Sequence, residues 1–274
     1  VGWSNASLEA IPTARAAGLK VIIERGSSHI KHQTEILKAA YQSIDMKPAE
    51  TSIGVIEREL AEYELADAIA VPSQFAAKTF VDRGVSATKL IVNNYGVDLA
   101  RFRSLEGRVE TGKPTILFVG QVGVRKGIPN LLKAFAPIND RAELHLVGPI
   151  ELGFENYLRD ASTDNVAIKG PVAGNALPTI YAEADIFCLP SIEEGLPLVN
   201  LQALASGCPV ITTEAAGAAD IIQDGVNGIT ISNDSVEQLT EALKKLISDT
   251  ALRQKMSVAA TASVQNGFSW EQYV

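Results

Sequence analysis

Cysteine is nearly absent. Of 274 residues only Cys188 and Cys208 are cysteines, and both sit in apolar segments. They form neither a disulfide framework nor a metal-ligand spacing, so the chain is expected to work reduced, in the cytoplasm. No window is long and apolar enough to span a bilayer, and no secretory leader is visible. Positive charge is in deficit, with 24 Lys and Arg against 32 Asp and Glu and a formal charge of -8. That argues against nucleic acid or an anionic membrane as a bulk electrostatic partner, while a local basic cluster for a phosphate stays open. There is no fixed-period repeat and no low-complexity tract. The Walker spacing G-x-x-x-x-G-K-[ST] and the dinucleotide fingerprint G-x-G-x-x-G are both missing.

What remains is a chain with 46% apolar and 20% charged residues, enough to bury a real core in one large or two ordinary domains. Apolar strands alternate with amphipathic helices, the pattern of a parallel sheet covered on both faces. In the first part, helices are expected over Ser4 to Ala17, Ile30 to Asp45 and Ala49 to Leu65, with another capped by Ser73. Strands are expected at Leu19–Glu24, Ala68–Val71 and Leu90–Val92. Residues Leu99 to Lys113 are charged, carry two glycines and lack periodicity, which marks a linker. Beyond it, strands are expected at Thr115–Val119, Glu143–Val147, Val166–Ile168, Asp185–Leu189, Val210–Thr213 and Gly228–Ile231. The boundaries read as 1–98, a linker at 99–113, a second domain at 114–264, and a closing helix that begins at 265–274.

Two loops carry chemistry. Ser191-Ile-Glu-Glu-Gly-Leu-Pro-Leu198 turns directly into a helix that Gly207 ends. Pro197 suits a first helical turn, and the free N–H groups there favour an anion such as phosphate. Glu194 beside that positive end is better placed to grip hydroxyls. Val119-Gly-Gln-Val-Gly-Val-Arg-Lys-Gly127 is the other loop. Arg125 and Lys126 oppose the macrodipole of the helix they precede, a conflict that a bound diphosphate resolves. From the residues alone, a solvated glycine-rich turn is an equal reading. Both loops follow strands of one sheet, and together they suit a ligand with a diphosphate in the middle and hydroxyls at its ends, the shape of a nucleoside diphosphate sugar.

A resemblance now covers nearly the whole chain. Ile116-Leu-Phe-Val-Gly120 with Lys126-Gly127, Leu144-His-Leu-Val-Gly148, Ala184-Asp-Ile-Phe-Cys-Leu-Pro-Ser191, Glu194-Gly195, Ala205-Ser-Gly-Cys-Pro-Val210 and Asp224-Gly-Val-Asn-Gly228 occur in the order and spacing of retaining glycosyltransferases of family 4. That family has the GT-B fold of two Rossmann-like domains. Asn94-Tyr-Gly-Val-Asp98 is similar to its hinge, and Phe268-Ser-Trp270 to its closing helix. The resemblance implies an α/β protein of two parallel-sheet domains, the first incomplete. It implies transfer of a sugar from a nucleoside diphosphate sugar with retention, without metal, to a carbohydrate, lipid-linked or small-molecule acceptor. Lys126 and Arg125 would neutralise the diphosphate, Glu194 would bind donor-sugar hydroxyls, and His29 either meets the donor sugar or caps a helix. Gly120, Gln121, Gly123, Gly148, Val166, Ile168, Gly195, Leu196, Pro197, Leu198 and Gln202 would line the donor. No Asp-x-Asp metal motif occurs, in keeping with that family's chemistry.

Two departures stand out. Gln121 occupies a place where the family often has arginine, and Gln202 stands where the second acid of its E-x7-E pattern holds ribose hydroxyls. No opening strand, glycine-rich loop and helix are read before Leu19, so the chain is expected to be a fragment that lacks the start of its first domain and the end of its last helix. Association through the uncovered first domain, and a peripheral place at the inner membrane face for the full-length parent, are further expectations. Other enzymes of the same fold, such as a sugar-nucleotide epimerase or a phosphorylase, remain open, as does a non-catalytic nucleotide-sugar-binding fragment.

Overall fold

The computed structural model describes residues 1–48, 51–104, 112–265 and 267–273. The helix start read at Ala49, the middle of the linker at 105–111 and Val274 lie outside the described residues. Contacts divide the chain into two compact units, Val1–Asn94 with Glu193–Leu196, and Tyr95–Ile192 with Pro197–Val274. The linker residues described at 99–104 and 112–113 thus belong to the second unit.

The first unit holds β1 (Gly2–Trp3), α1 (Ala10–Ala16), β2 (Ile22–Glu24), α2 (Ile30–Gln42), α3 (Ile53–Leu65), β3 (Ala68–Val71), α4 (Gln74–Val81) and β4 (Leu90–Val92). The four strands pair in parallel in the order β1-β2-β3-β4. Ile23, Ile69 and Val71 pack with Ile11, Ile30, Tyr63 and Phe80 in its core. Two expectations are corrected here. A strand does precede Leu19, since Gly2 and Trp3 pair with Ile23 and Glu24. The helix read from Ser4 starts only at Ala10, with Pro12 in its first turn, because proline further inside a helix would remove a donor and clash with the preceding turn. Ser4–Glu9 instead wraps a carboxylate. The amides of Asn5, Ser7 and Leu8 donate to Glu62 at 2.5, 2.7 and 2.9 Å, which satisfies a fully buried acid on α3.

The second unit runs β5 (Thr115–Val119), α5 (Ile128–Phe135), β6 (Glu143–Val147), α6 (Glu155–Ala161), β7 (Val166–Gly170), α7 (Leu177–Glu183), β8 (Ile186–Leu189), α8 (Leu198–Ala205), β9 (Val210–Thr213), α9 (Ala218–Ile221), β10 (Gly228–Ile231), α10 (Val236–Ser248), α11 (Thr250–Gln265) and α12 (Trp270–Tyr273). All six strands are parallel, in the order β10-β9-β8-β5-β6-β7. Every residue of β8 and β9 is buried, as expected of central strands covered on both faces. At the start of this unit, Val97 donates its amide to the Phe268 carbonyl at 2.8 Å and bridges Ser269. Asp98 Oδ1 accepts from the amides of Ala100 and Arg101 and so closes a turn. Among the described residues no helix is long and apolar enough to cross a membrane.

Candidate donor site

Counted from β5, the strand order of the second unit is 3-2-1-4-5-6, and its winding reverses between β5 and β8. Ligands of such sheets bind outside the carboxyl ends of the strands at that reversal. The loop Gly120–Gly127 after β5 lies there, as does the start of the other loop singled out from sequence, Ser191 and Ile192 after β8, while its Glu193–Leu196 belong to the first unit.

Backbone bonds fix both loops. Gly120 donates to the Val147 carbonyl at 2.9 Å, Val122 to Pro149 at 2.8 Å, and Ile192 to Arg125 at 2.9 Å. The glycines serve packing as much as ligand approach. A Cβ on Gly123 would run into Glu151, whose carboxylate accepts from the Val124 amide at 2.9 Å. A Cβ on Gly148 would meet the Gly120 carbonyl, and one on Gly127 the Pro190 carbonyl. Lys126 is half-buried, and its stem folds back past Gly120, with Cε 3.8 Å from where a Cβ of that glycine would stand. Arg125 is half-buried, and Gln121 is exposed. The helix expected to begin beside the two cations starts at Ile128, with Gly127 as its left-handed cap at φ 72°.

After β8, Thr212 and Thr213 hydroxyls donate to the carbonyls of Leu189 and Ser191 at 3.0 and 2.6 Å. Pro197 is the N-cap of α8 with φ -70° and ψ 119°, not a residue of its first turn, which corrects the placement read from sequence. Leu198 and Val199 therefore head the helix, where amides lack intrahelical partners. Three buried oxygens in this region take no hydrogen bond among the described residues: Ser191 Oγ, Asn200 Oδ1 and Gln202 Oε1. Buried acceptors are rarely left so, and each would welcome a donor from a ligand or water. Ser191 and Asn200 were not anticipated, although a serine closing a buried strand is a visible signal. Val166 and Ile168 lie within β7, which extends to Gly170, so the loop beyond that strand begins at Pro171.

Glu194, Gly195 and Leu196 pack in the first unit, as does His29. The carbonyl of Gly195 accepts from Ser73 Oγ at 2.7 Å, and the same hydroxyl caps α4 by accepting from Ala76 at 3.1 Å. A Cβ at residue 195 would collide with Gly26 and Pro72, so glycine is required there. Glu193, not anticipated as a functional residue, is fully buried and hydrogen-bonded to Ser27, Ser28 and Gln33. Glu194 beside it is 7% exposed.

His29 is the N-cap of α2. Its Nδ1 accepts from the Lys31 amide at 3.2 Å, its own amide donates to Thr79 Oγ1 at 2.9 Å, and its ring packs against both Tyr63 and Phe80, which also touch each other. His29 thus makes the helix-capping contact that was one of its two readings from sequence. Burial, followed by the charges of Arg83, Lys31 and Arg25 and the nearby His32, lowers its pKa to about 4. An unfolded histidine titrates near 6.5, so between these values the unfolded chain holds a proton that the folded chain does not. Stability from this group is thus complete above about pH 6.5 and declines as pH falls toward 4, where burying the ring requires it to give up its proton. Denaturant titrations across that window should show the decline, and His29→Asn, which keeps a capping oxygen, should remove this part of the slope. An unchanged slope in the variant would show that the ring titrates normally.

The sequence model of the family described as glycosyl transferases group 1 matches residues 104–263, more than half of the chain. The sulfoquinovosyl transferase of Arabidopsis thaliana is 32% identical over 222 residues, covering 76% of this chain and 43% of that protein. A D-inositol 3-phosphate glycosyltransferase of Salinispora arenicola is 30% identical, covering 90% and 61% respectively. The chain thus spans about half the length of the curated relatives it matches. Among solved structures, sucrose-phosphate synthase from Thermosynechococcus elongatus superposes with a TM-score of 0.80 at 20% identity, over 99% of this chain and 69% of that one. HepE of Anabaena, solved in complex with UDP, gives 0.79 at 17% identity, over 99% and 75%. These structures share the GT-B fold, two parallel-sheet α/β domains. The chain belongs to the group 1 glycosyl transferases.

Proposed function

We propose that this chain carries the donor site of a glycosyltransferase that moves a sugar from a nucleoside diphosphate sugar to an acceptor, with retention of anomeric configuration and without a metal ion. The observation that carries this reading is the switch point of the second unit, where a glycine-bounded loop bearing Arg125 and Lys126 meets the loop that leads into α8. Lys126 supplies a point charge and Arg125 a fork for the diphosphate as the leaving group gains charge. The head of α8 adds amides and the positive end of its dipole. Two cations take the charge-neutralising part that a divalent ion would otherwise fill.

Gln202 lies eight residues after Glu194, at the position where the family pattern has its second acid. Its buried Oε1 takes no hydrogen bond among the described residues, which fits a ribose hydroxyl as the donor it lacks. Glu194 is assigned to the hydroxyls of the donor sugar. Retention follows if the leaving phosphate oxygen takes the acceptor's proton on the same face, which requires no nucleophilic side chain. His29 is assigned a structural role. The acidic charge and the sparse, buried cysteines fit a cytoplasmic enzyme.

The test is a donor panel of UDP-glucose, GDP-mannose and ADP-glucose, each offered with carbohydrate and small polyol acceptors, with release of nucleoside diphosphate and the anomeric configuration of the glycoside product followed by NMR. HepE was solved with UDP, which makes UDP-glucose the first arm. Release of nucleotide with retention is expected from one donor. An inverted product, or an epimerised sugar with no nucleotide released, would refute the reading.

A further inference from the structure

We propose that Glu193 and Gln33 are positioning residues that set the place of Glu194 against the donor sugar. The inference rests on the donor-sugar role assigned to Glu194 above.

Two adjacent carboxylates occur here, and their surroundings differ. Glu193 is fully buried. Its Oε1 accepts from Ser27 Oγ at 2.6 Å, Ser28 Oγ at 2.7 Å and the Ser28 amide at 3.1 Å. Its Oε2 accepts from Gln33 Nε2 at 2.8 Å. A buried carboxylate is tolerated only when its lone pairs are met, and four donors meet these. Gln33 is not free to turn its amide over. Arg25 Nη2 donates to its Oε1 at 2.8 Å, while its Nε2 also donates to Ser27 Oγ at 3.1 Å. Arg25 in turn is held by the Ser28 carbonyl at 3.2 Å and by Glu59 at 3.3 Å, and Glu59 accepts from Tyr63 at 2.5 Å. The polarity of the whole chain is therefore fixed from Tyr63 through Glu59, Arg25 and Gln33 to Glu193.

On the other side of Glu194, Gly195 is pinned by Ser73 and by close backbone approach to Gly26. Glu194 is thus bracketed by two anchored neighbours. Anchors of this kind hold a reacting group within a fraction of an ångström, which matters most for contacts made to one part of a ligand.

The direction of each bond supplies the test. In Glu193→Gln, the new amide nitrogen faces either Gln33 Nε2 or the Ser28 amide, so a donor meets a donor in both orientations. In Gln33→Glu, a second carboxylate faces the buried one of Glu193. The double variant Gln33→Glu with Glu193→Gln restores a donor and an acceptor, and leaves Arg25 a carboxylate oxygen. Calorimetry is run with UDP, GDP and ADP, and with UDP-glucose, GDP-mannose and ADP-glucose. Each single variant should bind the sugar nucleotide about tenfold more weakly while its affinity for the matching nucleoside diphosphate stays within about twofold, and the double variant should return to within about threefold of the parent. Equal losses for nucleotide and sugar nucleotide would show a merely structural role and overturn the inference. So would single variants that bind the sugar nucleotide as the parent does, or a folded double variant that recovers nothing. If the unmodified chain binds none of the six probes, it is the donor-site reading itself that fails.

Discussion

Lys126→Ala is expected to weaken binding of the nucleoside diphosphate about tenfold and to slow transfer by about 10²–10³-fold, the range for loss of one preorganised group facing developing charge. The expectation follows from where the side chain is. Lys126 stands two residues before the start of α5, where a cation opposes the helix dipole and gains nothing from it for stability. Its stem nevertheless folds back past Gly120 toward the carboxyl end of β5, at the reversal of strand order. A diphosphate there would offset the lysine charge and the helix end together. The loss should therefore appear in ligand binding and turnover. Lys133, an exposed lysine near the end of the same helix, gives the control, and Lys133→Ala should leave binding unchanged. Equal affinity of Lys126→Ala and the parent, measured by calorimetry at low salt, would remove Lys126 from the site.

The second large effect is on folding. Gly127→Ala should destabilise the second unit by about 3 kcal/mol, because two costs combine. The residue has φ 72°, a left-handed conformation that alanine adopts at a cost of about 1 kcal/mol. Its Cβ would also strike the Pro190 backbone, within 2.7 Å of the carbonyl carbon, and a backbone carbonyl cannot swing aside as a side chain can. Gly153 separates the two costs. It has φ 84°, and a Cβ added there would meet nothing within 4 Å, so Gly153→Ala should lose only the conformational part. Chemical denaturation of the two variants gives the clash as their difference. Equal losses would mean that the loops after β5 and β8 are not in close backbone contact. The loops that would strain are those of the donor site, so nucleotide affinity should fall in Gly127→Ala as well.

Much of the second unit was legible because its signals are local. The apolar runs Thr115–Val119, Glu143–Val147, Val210–Thr213 and Gly228–Ile231 are bounded by turn residues, and they are the strands β5, β6, β9 and β10. Gly207 ends α8 in a left-handed conformation, as glycine after a helix commonly does. Ser73 caps α4. The first unit was harder. Gly2–Trp3 is too short for any periodicity, and only its pairing with β2 makes it a strand. The late start of α1 was marked by Pro12, but the reason Ser4–Glu9 stays unwound lies in Glu62, more than 50 residues away in sequence.

The acid pair shows the same limit at the site. Glu193 and Glu194 look alike in sequence, and what separates them is a set of partners on Ser27, Ser28 and Gln33, about 160 residues earlier. Gln202 shows the opposite case. Its departure from the family pattern was visible at once, whereas the buried oxygen that awaits a donor became visible only in the fold.

The central claim is that a nucleoside diphosphate binds at the switch point of the second unit. Calorimetric titration of the unmodified chain with UDP, GDP and ADP tests it most directly. The account predicts that one of the three binds with a dissociation constant on the order of micromolar, at 1:1 stoichiometry, and loses affinity as salt rises. Absence of binding by all three at millimolar concentration would contradict it.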